Sequence, residues 1–224
     1  GPMTPHGLWD WGFALSILPR LLAATGYTLL VTVASFFGAL VLGLPIALAR
    51  NSKRPAIRHA ARAVSEFIRS TPLLIQIYVL YFLLPSAGLT LSALATGLIA
   101  LSVHYATYTS EAYRAGLASV PRGQWEAAYA LGLTPPATYV RVVMPQALVP
   151  IVPTLGNNLI ALFKETPLLS AIAIIEVLQT AKLIGAESFR YTEPISLVGL
   201  IFLVLSLGSA ALIHNVERRL NQWR

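Results

Sequence analysis

Apolar residues form long runs along this chain, and short polar segments separate them. The first run, residues 21–49, is long enough to cross a hydrocarbon core of about 30 Å as a helix. Further runs follow, so the pattern predicts an all-α integral membrane protein with five transmembrane helices. The predicted spans are residues 21–49, the stretch from the basic segment 50–69 to about residue 84, and residues 91–113, 140–163 and 194–213.

A polar-flanked segment, residues 120–145, lies between the third and fourth predicted spans. Residues 124–131 all tolerate a helix, and Gly132 fits the C′ position that ends one. Thr134 and Pro135 then fit an N-cap and a first-turn proline, which open a second helix at once. The sequence therefore predicts a helix of about two turns, a sharp corner and a new helix.

The first of these short helices has features of a docking element. Trp125, Ala128 and Tyr129 fall at positions i, i+3 and i+4 and share one face. Glu126 sits in the first turn, where a carboxylate suits the positive end of the helix dipole. A short helix with an aromatic edge and small alanines can lie in a groove of another protein. The alternative is an interfacial helix that lies on the membrane.

The composition agrees with a membrane protein. Of 224 residues, 56% are hydrophobic and 11% are charged, and the mean hydropathy is +0.68. Soluble domains carry about 25% charged residues. The chain has no cysteine, which excludes disulfides, thiol nucleophiles and thiolate metal sites, and its four histidines have no ligand spacing. Gly1 and Pro2 precede Met3 and look like a protease-cleavage scar, and no cleavable signal peptide follows.

Positive charges are distributed unevenly between the two ends of the predicted spans. With five spans, Arg20, Lys182 and Arg190 lie on one side and Lys164 lies within the membrane. The remaining 12 of the 16 lysines and arginines lie on the other side: Arg50, Lys53, Arg54, Arg58, Arg62, Arg69, Arg114, Arg122, Arg141, Arg218, Arg219 and Arg224. The positive-inside rule then places the N-terminus outside, and residues 120–145 and the C-terminus in the cytoplasm. The net charge of +7 thus indicates membrane topology and not nucleic-acid binding.

Ionisable residues inside a span are costly and indicate function. Asn157 and Lys164 are seven residues apart, as are Asn158 and Glu165, so each pair lies on nearly one helical face. The candidates for a substrate path are Arg69, Thr71, Gln76, Asn157, Asn158, Lys164, Glu165 and Thr166. Two cations and one carboxylate among them suit a zwitterionic solute, whose own charges have both signs.

A second argument for this path is an internal similarity between FIRSTPLL, residues 67–74, and LFKETPLL, residues 162–169. Pro167 removes a backbone donor and frees the carbonyl near Phe163, and broken helices are common at transport sites.

Structural roles are the alternative for each of these polar groups. Lys164 and Glu165 can satisfy each other or neighbouring helices, and the Thr-Pro pairs can serve only to shape the bends. Arg69 can reach the cytoplasmic interface, and Gln76 can bond another helix. Elsewhere, Glu111 and Arg114 are predicted to form a local ion pair, and Tyr105 and Tyr108 to serve in packing.

The spacing in residues 124–145 is specific: Glu126-Ala127-Ala128, three residues, Gly132, nine residues, and then residues 142–145. It closely resembles the EAA loop of the membrane subunits of ABC importers, with Val142 for isoleucine and Met144 for leucine. Residues 66–82, 111–128 and 164–172 look like permeases of the polar-amino-acid uptake subfamily. More narrowly, residues 104–116 and 181–194 resemble the permease of ectoine and hydroxyectoine uptake systems.

The resemblance implies a type I ABC importer permease fold in a bacterial cytoplasmic membrane. It implies a second permease subunit, identical or paralogous, two ATPase subunits and an extracytoplasmic solute-binding protein. The coupling helix that docks on the ATPase would comprise Gln124, Trp125, Glu126, Ala127, Ala128, Tyr129, Gly132 and Leu133. The chain lacks G-x-x-x-x-G-K-[ST], so ATP and Mg²⁺ belong to the partner ATPase, and this subunit is not an enzyme and binds no cofactor itself.

The cargo and the organisation follow as expectations. Ectoine or hydroxyectoine would suit the mixed-sign path, and so would glutamine, arginine or histidine. An ATPase-independent secondary carrier and a non-transporting scaffold are the rival functions; the absence of an inverted repeat argues against the first. Residues 1–20 would be an extracytoplasmic segment, 21–218 the permease domain with a coupling loop at 120–145, and 219–224 a cytoplasmic tail.

Overall fold

The computed structural model describes residues 9–221, so Gly1, Pro2 and residues 222–224 of the predicted tail lie outside the described part. Between residues 9 and 221 the chain is helical and contains no strand, which confirms the all-α prediction. The α-helices are α1 Trp11–Arg50, α2 Pro55–Ser70, α3 Leu73–Tyr78, α4 Ala93–Ala118, α5 Arg122–Ala130, α6 Pro135–Thr138, α7 Met144–Glu165, α8 Val177–Ser188 and α9 Thr192–Asn221. Turns of π-helix, Val79–Leu83 and Tyr139–Val143, and of 3₁₀-helix, Leu84–Ala87 and Thr166–Ile172, extend several of them.

Fewer helices than predicted are both long and apolar enough to cross a membrane. In residues 9–221 three qualify, at Trp11–Arg50, Pro135–Ile172 and Thr192–Leu220. A fourth results if α2 and the helical turns after it are counted as one span, although they meet at an angle of 101°. The count of five transmembrane helices therefore stays a prediction. The remaining long helix, α4, is not apolar enough to qualify.

Helix α4 is polar because it forms the centre of the bundle. Threonines, serines and glycines on it are buried against α1 and α7, so protein surrounds this helix and not lipid. Ser102 donates a hydrogen bond to the carbonyl of Ser35 in α1 at 3.1 Å. A Cβ on Gly43 would lie 2.7 Å from the Thr109 side chain. Small residues thus allow the close approach that membrane helices use in place of a hydrophobic driving force.

The predicted second span is broken at its Thr-Pro pair. Thr71 and Pro72 both have extended backbone, with ψ of 137° and 134°, and they separate α2 from α3. A residue before proline is pushed out of the α region, so the break lies where the sequence puts it. Helix α2 therefore turns sharply away from the membrane-crossing segment that follows and does not extend it.

Helix α1 begins at Trp11, whereas the sequence predicted that the first span begins at residue 21. Asp10 caps this earlier start, because its side-chain oxygen accepts a hydrogen bond from the backbone N–H of Phe13 at 3.1 Å. Residues 11–20 therefore continue the first helix and do not form a separate segment. Asp10, directly before an apolar run, could have indicated this helix start from the sequence.

Charged residues join the start of α1 to the end of α8 and the start of α9, on the side opposite to residues 120–145. Arg190, between α8 and α9, forms ion pairs with Glu193 and, at 3.6 Å, with Asp10. The backbone N–H of Asp10 also donates to Glu193 at 2.9 Å. Arg20 on α1 forms a two-point pair with Glu187 on α8, at 2.7 and 3.1 Å. We call these six residues the end clamp; the sixth, Phe13, lies under the Arg190 guanidinium at 5.5 Å.

Candidate functional site

The predicted helix, corner and helix are present between α4 and α7. Helix α5 ends at Ala130, and Gly132 has a φ of +74°, a conformation that glycine adopts without strain. The N–H groups of Gly132 and Leu133 donate to the carbonyls of Tyr129 and Ala128 at 3.0 and 3.1 Å. These two bonds close the end of the helix, which confirms the helix-ending role predicted for Gly132.

Helix α6 then begins with Pro135 in its first turn, as predicted. Thr134 has the extended backbone of an N-cap, and its carbonyl accepts from the N–H of Thr138 at 2.8 Å. Its side chain makes no capping hydrogen bond, and the first two helical residues, both prolines, have no N–H groups that need a partner. The cap is therefore conformational.

The predicted docking face is divided between the inside and the outside of the chain. Ala128 is buried, with 3% of its surface exposed. The Trp125 ring packs edge-on against Tyr139 at 4.9 Å and covers a small core of Val120, Val143, Ala147 and Ile151. These two side chains anchor α5 to its own subunit, while Tyr129 points outward.

The exposed surface around α5 therefore has a different composition from the predicted face. Its members are Gln124, Glu126, Ala127, Tyr129 and Gly132, with Leu133 half-buried. Leu131 was not predicted, yet 81% of its surface is exposed, which makes it the most prominent apolar group at the corner. A leucine directly before a helix-ending glycine could have indicated it from the sequence.

The candidate substrate path contains a chain of polar contacts across three elements. At the break between α2 and α3, Gln76 Nε2 donates to the carbonyl of Ile68 at 2.7 Å and to Thr71 Oγ1 at 2.8 Å. The Gln76 side chain therefore satisfies backbone groups that the Thr-Pro break releases. Its Oε1 lies 3.2 Å from His104 Nδ1 on α4, a contact that requires the proton on Nδ1.

Helix α4 continues this chain of contacts to α7. The His104 ring lies 5.7 Å from Tyr105 and 5.5 Å from Tyr108, centroid to centroid. The Tyr105 hydroxyl donates to Glu165 Oε2 at 2.9 Å. Tyr105 was predicted to serve in packing, and the sequence does not indicate this bond or a role for His104. We call Thr71, Gln76, His104, Tyr105 and Glu165 the cross-helix chain.

Other predicted path residues do not join the cross-helix chain. Lys164 is exposed and forms neither a hydrogen bond nor an ion pair with any residue of 9–221, so it does not neutralise Glu165. Arg69 is half-buried, and Asn157 is exposed. Asn158 is half-buried, and its Nδ2 is shielded from solvent without a hydrogen-bond acceptor within the described chain.

Thr166 closes the end of α7. Its hydroxyl donates to the carbonyl of Phe163 at 2.7 Å. Pro167 was predicted to free the carbonyl near Phe163. The threonine hydroxyl occupies that carbonyl instead, so the local break of the helix does not expose an acceptor there.

A second charged cluster lies where α1 ends beside α4. Glu111 binds Arg114 at 3.0 Å, which confirms the predicted ion pair, and it also binds the buried Arg50 at 2.7 Å. Arg114 reaches Asn51 Oδ1 at 3.0 Å. In residues 9–221 no group of three or more histidine, aspartate or glutamate side chains is placed to hold a metal ion.

The cross-helix chain can recognise charge. Glu165 is the one carboxylate among the five residues of the cross-helix chain. It is half-buried at the end of α7, and a tyrosine hydroxyl holds it. A carboxylate in such surroundings attracts a cationic nitrogen, and Lys164, the next residue along α7, is exposed and can attract an anionic group. Pre-organised polar groups at the end of a broken helix can therefore orient a small solute with charges of both signs.

Comparison with known proteins gives consistent relatives. The chain is 42% identical over 214 residues to a probable amino-acid ABC transporter permease protein of Sinorhizobium fredii, covering 93% of each. It is 37% identical over 213 residues to an L-cystine transport system permease protein of Bacillus subtilis, covering 93% of this chain and 89% of the relative.

Solved structures share the fold. One, described as the crystal structure of an amino acid ABC transporter with histidines, matches with a TM-score of 0.88 and 33% identity over 97% of this chain and 100% of that chain. An inward-facing methionine ABC transporter matches with a TM-score of 0.74 at 21% identity, over 92% of this chain and 98% of that chain, which supports the fold alone.

The family model described as "Binding-protein-dependent transport system inner membrane component" matches residues 39–222, most of the chain and all of the described helices after the first part of α1. The chain therefore belongs to this family of inner-membrane permease subunits, with the type I ABC importer permease fold.

Proposed function

We propose that this chain forms the membrane path of an ATP-driven importer for a small zwitterionic solute. The observation that carries the cargo class is the hydrogen bond at 2.9 Å between the Tyr105 hydroxyl and Glu165, which holds a half-buried carboxylate at the end of α7, next in sequence to the exposed Lys164. Arg69, Thr71, Gln76, Asn157, Asn158, Lys164, Glu165 and Thr166 are the proposed path residues, and His104 and Tyr105 join them.

Two cargo classes fit this path. Polar amino acids are favoured by the relatives, which include probable amino-acid, L-cystine, probable glutamine and arginine permeases. Ectoine or hydroxyectoine is favoured by the local sequence resemblance of residues 104–116 and 181–194 alone. Both classes combine a carboxylate with a cationic nitrogen, so Glu165 and the proposed path cations Lys164 and Arg69 suit either. We place the amino-acid class first.

Coupling to ATP hydrolysis is proposed to occur through α5. The exposed residues Gln124, Glu126, Ala127 and Tyr129 would contact the ATPase subunit, while Trp125 and Ala128 fix the helix to the permease. The subunit would work with a second permease copy or paralogue, two ATPase subunits and an extracytoplasmic solute-binding protein. The positive-inside distribution supports an orientation in which α5 and the C-terminus are cytoplasmic and the N-terminus is outside.

The experiment is ATPase activity of the reconstituted complex in nanodiscs. The chain is co-expressed with its neighbouring transport genes, and purified binding protein is added with ectoine, glutamine, arginine, histidine or cystine. We expect stimulation by loaded binding protein and none by the empty protein. Stimulation by ectoine alone would contradict the amino-acid class. Transport by the permease without any ATPase would establish the secondary-carrier alternative and overturn the proposal.

A further inference from the structure

Two cavities lie side by side where the C-terminal end of α1 meets α2 and α4. One has a volume of about 490 Å³, and Ile46, Ile57, Ala60, Val64 and Ile68 are among its almost wholly apolar lining. The other has a volume of about 300 Å³ and a charged lining, made by Arg50, Arg58, His59, Arg62, Glu111 and Arg114. Neither cavity contains a residue of the cross-helix chain or of α5.

The charged cavity has an excess of positive charge. Four arginines and one carboxylate, Glu111, line it, and Arg62 also pairs with Glu66 outside the lining, which still leaves an excess of two positive charges. Glu111 is already held by two guanidinium groups, Arg50 at 2.7 Å and Arg114 at 3.0 Å. Its negative charge is therefore satisfied within the chain, and the remaining donors are available to an anion.

Arg50 makes this cavity a built site and not a solvated surface. The side chain is 8% exposed, and its neighbours include further arginines of the same lining. Arg50 Nη1 lies within ion-pair distance of Glu111, but it forms no hydrogen bond with any residue of 9–221, because it is not directed at an acceptor. A buried guanidinium nitrogen without a well-aligned acceptor is costly, and an anion in the cavity would relieve that cost.

Both cavities use neighbouring faces of α2. Arg58 and Arg62 are four residues apart and line the charged cavity, while Ile57, Val64 and Ile68 line the apolar one. A basic helix with an apolar face, set at 101° to the following span, has the form of a helix that lies along a membrane interface. A ligand that fills both cavities must be anionic at one end and a hydrocarbon at the other.

We propose that an anionic glycerophospholipid binds at the junction of α1, α2 and α4. Its phosphate would lie among Arg50, Arg58, Arg62 and Arg114, and one acyl chain would lie in the apolar cavity. Basic pockets between membrane helices bind the head groups of anionic lipids, and arginine is suited to phosphate because its fork can donate two hydrogen bonds. A free phosphate ion would leave the apolar cavity empty, and a helix of a second copy would leave the arginines without an anion.

The test is native mass spectrometry of the permease, purified with its partner ATPase in mild detergent. We expect retained phosphatidylglycerol or cardiolipin on the wild type. Arg58→Gln with Arg62→Gln should lower this occupancy about tenfold, because two charge-assisted contacts to the phosphate are lost. Lys53→Gln with Arg54→Gln is the matched control, since it removes the same charge from the same segment outside the cavity lining, and it should leave the occupancy unchanged.

A second variant separates a lipid from a free anion. Ala60→Phe places a ring towards the apolar cavity without a change of charge, and Ala60 is exposed, so the fold tolerates the larger side chain. We expect it to lower lipid retention, and we expect excess inorganic phosphate not to displace the lipid. Three results would each overturn the proposal. They are displacement of the lipid by phosphate, unchanged lipid occupancy in the arginine variant, and a dimer that carries no lipid and that Ala60→Phe dissociates.

Thermal unfolding in defined lipids gives a measurement that is independent of mass spectrometry. The complex in nanodiscs with phosphatidylglycerol should have a higher unfolding temperature than the complex in phosphatidylcholine alone. The same shift should be absent from the arginine variant and present in the lysine-arginine control. An equal unfolding temperature of the wild type in both lipids would contradict a specific site, whatever cargo the transporter carries.

Discussion

Glu165 is the residue on which the proposed path most depends. Its carboxylate accepts one hydrogen bond, from Tyr105, and Lys164 beside it makes no contact with it. Lys164 and Glu165 therefore do not satisfy each other, but Glu165 does bond a neighbouring helix, which is the other form of the structural alternative. Because the carboxylate keeps unused acceptor capacity, it remains available to a cationic group of a solute.

Glu165→Gln is expected to lower solute uptake by about tenfold to a hundredfold, since a hydrogen bond to a charged group contributes about 1.5–3 kcal/mol. Uptake and solute-stimulated ATPase activity are measured in proteoliposomes. Glu217→Gln, on the C-terminal turn of α9, is the control with the same chemical change. Normal uptake by Glu165→Gln would show that the carboxylate has only a structural role.

Tyr105→Phe tests whether the hydroxyl positions Glu165. We expect a rise in the solute concentration needed for half-maximal uptake, because the carboxylate loses its one hydrogen-bond donor. Tyr108→Phe is the matched control, since Tyr108 shares the aromatic cluster but its hydroxyl forms no hydrogen bond within residues 9–221. Equal effects of both substitutions would indicate packing and not positioning.

Side-chain contacts could be predicted where the two residues are close in sequence and could not where they are distant. Glu111 and Arg114 are three apart on one helix, so their pair could be inferred. Tyr105 and Glu165 are 60 positions apart, and no periodicity indicates which helices bring them together. His104 and Gln76 escaped prediction as a pair for the same reason, although each was visible as a polar group in an apolar run.

At the scale of elements, α5 with its corner was the part best specified by the sequence. Gly132, Thr134 and Pro135 fixed the end of one helix and the start of the next. The inward orientation of Trp125 and Ala128 could not be inferred, because it depends on Tyr139 and the core beneath it. A helical face shared by three residues does not say which side of it meets the protein's own core.

Glu126→Lys and Gly132→Leu are expected to reduce ATPase association while the permease remains folded in the membrane. The first reverses an exposed charge, and the second forces a side chain into a φ of +74°, which costs about 1–2 kcal/mol. Co-purification of the ATPase with each variant measures the effect. Gly123→Ala is the control on the same helix, because a Cβ there has no neighbour within 4 Å. Unchanged association would remove α5 from the proposed interface.

Packing of α4 against α7 depends on Gly116. A Cβ at this position would lie 2.2 Å from Ile151 Cγ1 and 2.9 Å from the carbonyl oxygen of Ala147. We expect Gly116→Ala to destabilise the permease by about 1–3 kcal/mol, as overpacking does, and to lower its unfolding temperature in detergent. Gly199→Ala in α9 has no neighbour within 4 Å and should be neutral. A neutral Gly116→Ala would mean that the helices shift apart readily.

For the whole molecule, the helical class and the direction of the charge bias followed from composition, but the layering of helices did not. Helix α4 fails as an isolated span because its serines, threonines and glycines face α1 and α7. Hydropathy indicates how well a helix tolerates contact with lipid, whereas a helix at the centre of a bundle contacts other protein helices. The same limit explains why the end clamp, which joins Asp10 to Arg190 across most of the chain, gave no evidence in the sequence.

The end clamp gives the whole molecule a dependence on pH. The hydrogen bonds from Arg20 hold the pKa of the Glu187 carboxyl below its ordinary value. Between the lowered pKa and the ordinary carboxyl pKa, the folded chain therefore binds fewer protons than the unfolded chain. The stabilisation is complete above the ordinary carboxyl pKa of about 4.3 and is lost as the pH falls through the lowered value.

Glu187→Gln removes this linkage. We expect the variant to unfold at a slightly lower temperature than the wild type at pH 7, because the pair is half-exposed and solvent weakens it. The difference should narrow as the pH falls below the ordinary carboxyl range, and added salt should narrow it at pH 7. Thermal unfolding of both proteins across that range measures it, with Glu217→Gln as the control. A difference that widens on acidification would have the wrong sign and would show that Arg20 does not stabilise the ionised form of Glu187.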